Sequence, residues 1–198
     1  MAKKAQSTLI NMLLSLTLIA LVASLALALV NNVTKGPIEK VNKEKIAKAV
    51  AKVLPQYDNY TVDTVMVETK KGKEPMIRYT AVDAEGNLVG KAMESWDDNG
   101  FGGRLSAMVG FDAEGNISGY EILASSETPG LGAKADAWFQ KDGKGNVIEM
   151  NPSSNNITVK KDGGEVDAIT GSTITSRAFC RLISTAYSAF NTEKGENE

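Results

Sequence analysis

A hydroxyl-rich segment with one glycine runs directly into an amphipathic pattern near the end of the chain. It reads Asp-Ala-Ile-Thr-Gly-Ser-Thr-Ile-Thr-Ser over residues 167–176. After it, apolar residues recur at the spacing of a helix with one buried face: Ala178, Phe179, Leu182, Ile183, Ala186, Tyr187 and Phe190. The first N–H groups of a helix have no intrahelical partner and lie at the positive end of its macrodipole. This helix start, which contains Thr175, is therefore a candidate phosphate site.

The same residues also fit a purely structural role. Ser172 or Thr173 could cap the helix, and Gly171 permits the turn before it. The segment alone does not separate a well-capped helix from a phosphate site, because short motifs often occur by chance.

A second segment, residues 127–132, reads Glu-Thr-Pro-Gly-Leu-Gly, a rigid turn that allows close backbone approach. Together and in this order, the two segments resemble the signatures of the FMN-binding domain family. That family is found in the G subunit of the Rnf complex and the C subunit of the sodium-translocating NADH:quinone reductase. The segments Gly-Phe-Gly-Gly at 100–103 and Met-Val-Gly at 108–110 are also similar to the family.

The resemblance implies a covalent cofactor. In the family, the last hydroxyl of the motif carries FMN through a phosphoester bond, which here assigns the attachment to Thr175. Ser172 stands where the family usually has alanine. Arg177 is a candidate to balance the phosphate charge. The residues expected to shape the phosphate turn are Asp167, Thr170, Gly171, Ser172 and Thr173.

The resemblance also implies that the loop at 127–132 lies against the isoalloxazine ring of the flavin. Its expected contacts are Glu127, Thr128, Gly130, Leu131 and Gly132. Glu127 has an alternative interpretation as a turn carboxylate that faces water. Trp96 and Trp138 are interpreted as core residues rather than as stacking partners of the flavin.

The absence of histidine from the sequence excludes Ser-His catalysis, a histidyl flavin link and any zinc site that contains histidine. A single cysteine, Cys180, excludes an intramolecular disulfide. The sequence has no dinucleotide-binding, Walker or iron–sulfur motif. A threonine hydroxyl needs an adjacent base, and no imidazole is available, so self-modification is not expected. The family uses a separate flavin transferase that takes FMN from FAD with a metal ion, and we expect that partner here.

Residues 9–30 form an uncharged stretch rich in Leu and Ala, long enough to span a bilayer. A cleaved signal peptide is the alternative, although its apolar part usually has only about 7–15 residues. The sequence predicts this division: a short cytoplasmic N-terminus at 1–8, a transmembrane helix at 9–30, a juxtamembrane helix and linker at 31–60, an FMN-binding domain at 61–191 and a flexible tail at 192–198.

The distribution of charged residues does not decide on which side of the membrane the domain lies. More lysines follow the apolar stretch than precede it, which favours a cytoplasmic domain under the positive-inside rule. The family resemblance instead places the domain on the extracytoplasmic side of a single-pass protein in the inner (cytoplasmic) membrane, and we follow it. Acidic residues outnumber basic ones, 24 to 22, which argues against nucleic acid as a partner.

The sequence between the apolar stretch at 9–30 and the helix that begins near Thr175 predicts an α+β domain with an antiparallel sheet and flanking helices. A helix over 37–54 should stop before Pro55. The sequence Asp-Ala-Glu-Gly-Asn at 83–87 recurs at 112–116, with a looser copy at 142–146, and we interpret all three as hairpin turns rather than calcium loops. A short helix is expected within 133–140. Strands are predicted at 61–68, 76–82, 88–96, 104–111 and 117–124, and near 147–150 and 157–160.

These patterns predict an electron-relay subunit rather than a complete enzyme. The resemblance implies a membrane complex that passes electrons between ferredoxin and NAD, coupled to ion movement, with the other subunits and membrane lipid as partners. Two alternatives remain open: an anchored extracytoplasmic flavoprotein reductase outside any pump, and a cofactor-free binding or assembly module.

Overall fold

The computed structural model describes residues 8–69 and 71–192. The chain divides into two compact units, residues 1–44 and 45–198. The predicted N-terminal segment 1–8 and tail 192–198 lie outside the described residues, except for Thr8 and Thr192.

Helix α1 (Leu9–Val53) is continuous, with Pro37 inside it. The sequence predicted two separate helices, at 9–30 and 37–54, and that separation is wrong. A proline in a helix removes one N–H and the bond it would make four residues back, a loss that need not end the helix. Thr34 adds a bond of its own, since its hydroxyl donates to the carbonyl of Val30 over 2.8 Å. The helix ends two residues before Pro55, as predicted.

The first part of α1 presents apolar side chains on all sides, and they are exposed throughout residues 9–30. Among the described residues, α1 is the helix that is long and apolar enough to cross a membrane. A helix that is hydrophobic all round requires an apolar surrounding, which a bilayer provides.

The second unit is built on a five-stranded antiparallel sheet in which each strand pairs with the next along the chain. This confirms the predicted α+β class and antiparallel pairing. Several strands extend past the predicted bounds, because hairpin pairing continues beyond the apolar residues. The strands are β1 (Asn59–Thr69), β2 (Gly72–Val82), β3 (Leu88–Gly100), β4 (Gly103–Asp112) and β5 (Ile117–Ala124).

The two copies of Asp-Ala-Glu-Gly-Asn connect β2 to β3 and β4 to β5, as predicted. In each, the aspartate carboxylate accepts the backbone N–H of the asparagine at 2.8 Å. Hydrogen bonds from the Asn87 side chain and backbone lower the pKa of Asp83. The looser copy at 142–146 is a loop turn that joins no strands, so its assignment as a hairpin is wrong.

The two faces of the sheet bury different partners. The last turns of α1 pack on one face through Ala49, Val50 and Val53. Helix α3 (Thr173–Asn191) packs on the other face, where Phe179 stacks on Phe139 with centroids 4.1 Å apart and meets the edge of Tyr120 at 4.7 Å. Cys180 is also buried beside this core, and burial raises the pKa of its thiol to about 12.

The middle and the last turn of α3 are held by polar contacts from the sheet. Arg78, which is buried, binds the Asp63 carboxylate with two nitrogens and donates to the Thr192 carbonyl at 2.5 Å. Arg181 pairs with Asp97 through two bonds of 2.8 and 2.9 Å. The helix therefore has a fixed position on the sheet.

The segment between β5 and α3 contains short helices and loops. The predicted helix within 133–140 is confirmed as a 3₁₀ turn at Gly132–Lys134 followed by α2 (Ala135–Trp138). The predicted strands near 147–150 and 157–160 do not form, and that prediction is wrong. Val147 and Ile157 are buried as loop residues, so their apolar character reflects burial in the core. Val159 is also buried, and its pairing is limited to an isolated parallel bridge with Val166.

Asp98, near the end of β3, is held between two cations. It lies 2.5 Å from Lys71 and 2.6 Å from Arg104, and hydrogen bonds from both lower the pKa of its carboxyl to about 2. A depressed pKa stabilises the fold above the unfolded pKa, and that contribution is lost as pH falls through the folded pKa.

We expect Asp98→Asn to lower the free energy of unfolding by about 1 kcal/mol or less near neutral pH, since both cations are exposed. The difference from wild type should shrink as pH falls below about 4 and should vanish only below the folded pKa of about 2. Thermal unfolding of the full chain in detergent, followed by tryptophan fluorescence from neutral pH down to this range, measures it. A difference as large at pH 2 as at neutral pH would contradict the assignment.

Candidate functional site

The start of α3 is organised by Ser176 rather than by the residue at its N-cap. Ser172 occupies the cap position, one of the two predicted, but its side chain makes no capping hydrogen bond. Instead the Ser176 hydroxyl donates to the Ser172 carbonyl and accepts the Ile169 N–H, both at 2.9 Å. Gly171 turns the chain with φ of 79°. The first N–H groups of α3 are therefore not taken up by the Ser172 side chain.

Thr175 lies in the first turn of α3 and is fully buried. Its hydroxyl donates a hydrogen bond of 2.9 Å to Oε2 of Glu127. Glu127 is 8% exposed, so it does not face water, and that alternative for its role is wrong. The other carboxylate oxygen, Oε1, is buried and has no hydrogen-bond partner among the described residues.

Two glycines form walls around the Glu127 carboxylate. A Cβ added at Gly132 would lie 2.4 Å from Oε2 and 2.8 Å from the Thr175 hydroxyl oxygen. A Cβ added at Gly100 would lie 2.7 Å from Oε1. Any side chain at either position would force the carboxylate to move, so both glycines are required for its placement.

The loop at 127–132 is a tight turn that reaches the phosphate turn. The Thr128 carbonyl accepts the N–H groups of Leu131 and Ala133 at 3.1 and 3.2 Å. Leu131 is 42% exposed, and its Cδ2 lies 3.4 Å from the position that a Cβ on Gly171 would take. The structure thus brings the two sequence motifs together: Thr175 is hydrogen-bonded to Glu127, and the Leu131 side chain lies beside Gly171.

Other predicted site residues lie around this contact with separate partners. The Asp167 carboxylate pairs with Lys160 at 2.7 Å, and its carbonyl accepts the indole N–H of Trp138 at 2.8 Å. Arg177 binds both oxygens of Asp162 at 2.6 and 2.7 Å, so two of its nitrogens are already engaged. The remaining predicted residues differ in exposure: Thr128 and Gly130 are exposed, Thr170 is exposed beside the turn, and Thr173 is half-buried.

Both tryptophans are partly buried against the core, in agreement with their interpretation as core residues. A cleft of about 390 Å³ opens beside Glu127 and Gly132, and it is lined also by Lys52, Ser125 and Asp136. Within the part of the chain that the structure describes, no group of three or more acidic or cysteine side chains could hold a metal ion.

Sequence reasoning missed Ser176 and the role of Gly100. Ser176 is one position beyond the motif, and no spacing rule indicates that its side-chain hydroxyl accepts the backbone N–H of Ile169. Gly100 belongs to a family-like segment, and that resemblance was the available signal. The Glu127 hydrogen bond joins residues 48 positions apart, which local patterns do not encode.

Comparison with known proteins shows which family this chain resembles. Residues 100–188, which include both motifs, match the model of the FMN-binding domain. The G subunit of the Na⁺-translocating ferredoxin:NAD⁺ oxidoreductase complex of Acetobacterium woodii is 34% identical, with 83% of each chain covered. The G subunit of the ion-translocating oxidoreductase complex of Aliivibrio fischeri is 32% identical over 92% of this chain and 90% of its own.

Among solved structures, NqrC of Shewanella oneidensis matches with a TM-score of 0.42 and 16% identity, over 71% of this chain and 73% of that one. The sequence relatives carry the assignment, since they extend over most of both chains at more than 30% identity. On that basis, this chain, with its apolar amino-terminal helix and its FMN-binding domain, belongs to the family of G subunits of ion-translocating oxidoreductase complexes.

Proposed function

We propose that this chain is an electron-transfer subunit of an Rnf-type, ion-translocating ferredoxin:NAD oxidoreductase complex, and that it carries FMN as a phosphoester on Thr175. One observation supports the attachment most directly. The last hydroxyl of the flavinylation-like motif contacts the first residue of the Glu-Thr-Pro-Gly-Leu-Gly loop, with 2.9 Å between the Thr175 and Glu127 oxygens.

The residues around Thr175 fit a flavin phosphate. The first N–H groups of α3 receive no bond from the Ser172 side chain, and a helix N-terminus stabilises an anion. Gly130, with φ of 75°, and Gly132 let the loop backbone approach a flat ring closely. The neighbouring cleft has a size typical of cofactor sites. FMN, when bound, supplies one- and two-electron chemistry, while the chain positions it.

The proposal extends to the setting of the protein. Helix α1 anchors the chain in the membrane lipid, and the FMN-binding domain lies on the extracytoplasmic side. A separate flavin transferase attaches the cofactor. The other subunits of the complex supply and accept the electrons.

The experiment that tests the proposal is intact-mass measurement of the chain isolated from its native membranes, followed by tandem mass spectrometry of its peptides. The expected result is one FMN phosphoester per chain, located on Thr175, in material that copurifies with other membrane subunits. A mass equal to the bare polypeptide would favour a cofactor-free assembly module. A flavin-bearing chain that copurifies with no other subunit would favour a separate anchored reductase.

A further inference from the structure

We propose that Glu127 is the base that takes the proton from Thr175 when the phosphoester forms, so that the acceptor chain activates its own nucleophile. This inference rests on the proposed attachment at Thr175. It assigns to the Glu-Thr-Pro-Gly-Leu-Gly loop a chemical task in maturation, in addition to a place beside the flavin ring.

The reaction requires such a group. A threonine hydroxyl is a weak nucleophile unless an adjacent base removes its proton. A base must lie within about 2.6–3.2 Å of the oxygen that it deprotonates. The Glu127 carboxylate meets this condition at 2.9 Å, and the hydrogen bond already points from the hydroxyl to Oε2. The chain has no histidine that could take the same role.

The surroundings of the Glu127 carboxylate also differ from those of a carboxylate that only makes a structural hydrogen bond. Oε1 is buried without a partner among the described residues, whereas buried polar atoms in folded proteins are nearly always hydrogen-bonded. A Cβ at Gly100 would lie 2.7 Å from Oε1 and one at Gly132 would lie 2.4 Å from Oε2, so the carboxylate keeps this place only beside glycine. The Ser125 hydroxyl oxygen accepts the Glu127 N–H at 3.2 Å, which steadies the backbone.

The step balances with FAD, the dinucleotide donor, held by the transferase. The Thr175 hydroxyl oxygen forms a bond to the phosphorus of the FMN half. The pyrophosphate P–O bond breaks, and AMP leaves with the electron pair. The proton moves from Thr175 to Oε2 of Glu127 and then to solvent. No group is oxidised or reduced.

Glu127→Gln provides the first test, because the amide preserves the size of the side chain but cannot take up the proton. The full-length chain in detergent is incubated with purified flavin transferase, FAD and Mg²⁺, and the initial rate of fluorescent labelling is read on denaturing gels. We expect the rate to fall about 10²-fold or more. Glu85→Gln, an exposed glutamate in the β2–β3 turn, is the matched control and should keep the wild-type rate.

Chemical rescue separates a base from a positioning group. In Glu127→Ala, added formate should restore labelling in proportion to its concentration, an effect that a purely structural role would not produce. The thermal unfolding midpoint of each variant, measured without transferase, shows that the chain is folded. Wild-type rates in Glu127→Gln, or folded Glu127→Ala that formate does not rescue, would overturn the role of Glu127. If the wild-type chain itself takes up no flavin, the attachment at Thr175 is what fails.

Discussion

Thr175→Ala should abolish covalent flavin completely. Coexpressed with the flavin transferase, the variant should give no fluorescent band after denaturing electrophoresis, whereas the wild type should give a strong one. This loss is expected because the proposed phosphoester uses the Thr175 hydroxyl oxygen, and alanine has no hydroxyl. Neighbouring hydroxyls do not substitute, since that of Ser176 is committed to Ser172 and Ile169 within the turn.

Two matched variants make this result specific. Thr175→Ser retains the oxygen and should still be labelled. Ser172→Ala removes a neighbouring hydroxyl and should leave labelling in place, because the Ser172 side chain makes no capping bond. Thr175→Ala also removes the donor to Glu127, which should lower stability by about 1–3 kcal/mol. A fluorescent band in a folded Thr175→Ala chain would contradict the assignment.

Phe179→Ala should cause the largest loss of stability, about 3–5 kcal/mol. Phe179 is fully buried and joins α3 to two elements, stacking on Phe139 with an interplanar angle of 7° and meeting Tyr120 edge-on. Truncation removes both ring contacts and leaves a cavity where the helix, α2 and β5 meet. Thermal or urea unfolding of the full chain in detergent, followed by tryptophan fluorescence, measures the change.

Ser188→Ala is the control on the same helix. Ser188 is exposed, and its hydroxyl donates to the Ser184 carbonyl one turn earlier, so the change should stay within about 0.5 kcal/mol. If Phe179→Ala destabilised the chain as little as Ser188→Ala, the aromatic cluster would not be the centre of the core.

The sheet could be predicted from sequence because its signals are local. Alternating residues mark each strand, and two copies of Asp-Ala-Glu-Gly-Asn supply turns in which aspartate accepts N–H groups two and four residues later. Helix α3 was equally clear, since its apolar face repeats with helical spacing. These elements follow from interactions within a few residues, which a sequence displays directly.

The errors occur where distant parts of the chain decide the outcome. Val147 and Ile157 are apolar because they fill the core beneath loops, and burial of this kind has no periodicity. Pro37 suggested a boundary that α1 does not have. The burial of Glu127 depends on Gly100 and Gly132 on either side of it, and only the folded chain brings all three together.

The fixed position of α3 limits how far a flavin attached to it could move. Arg78 donates a hydrogen bond to the Thr192 carbonyl, directly after the last turn of the helix. In the first turn, the Ser176 hydroxyl accepts the N–H of Ile169 in the preceding loop. A flavin attached to that first turn would share the rigidity of the sheet, with freedom only in its own ribityl linkage. The donor–acceptor separation would then be set by how a neighbouring subunit docks, and not by flexing within this domain.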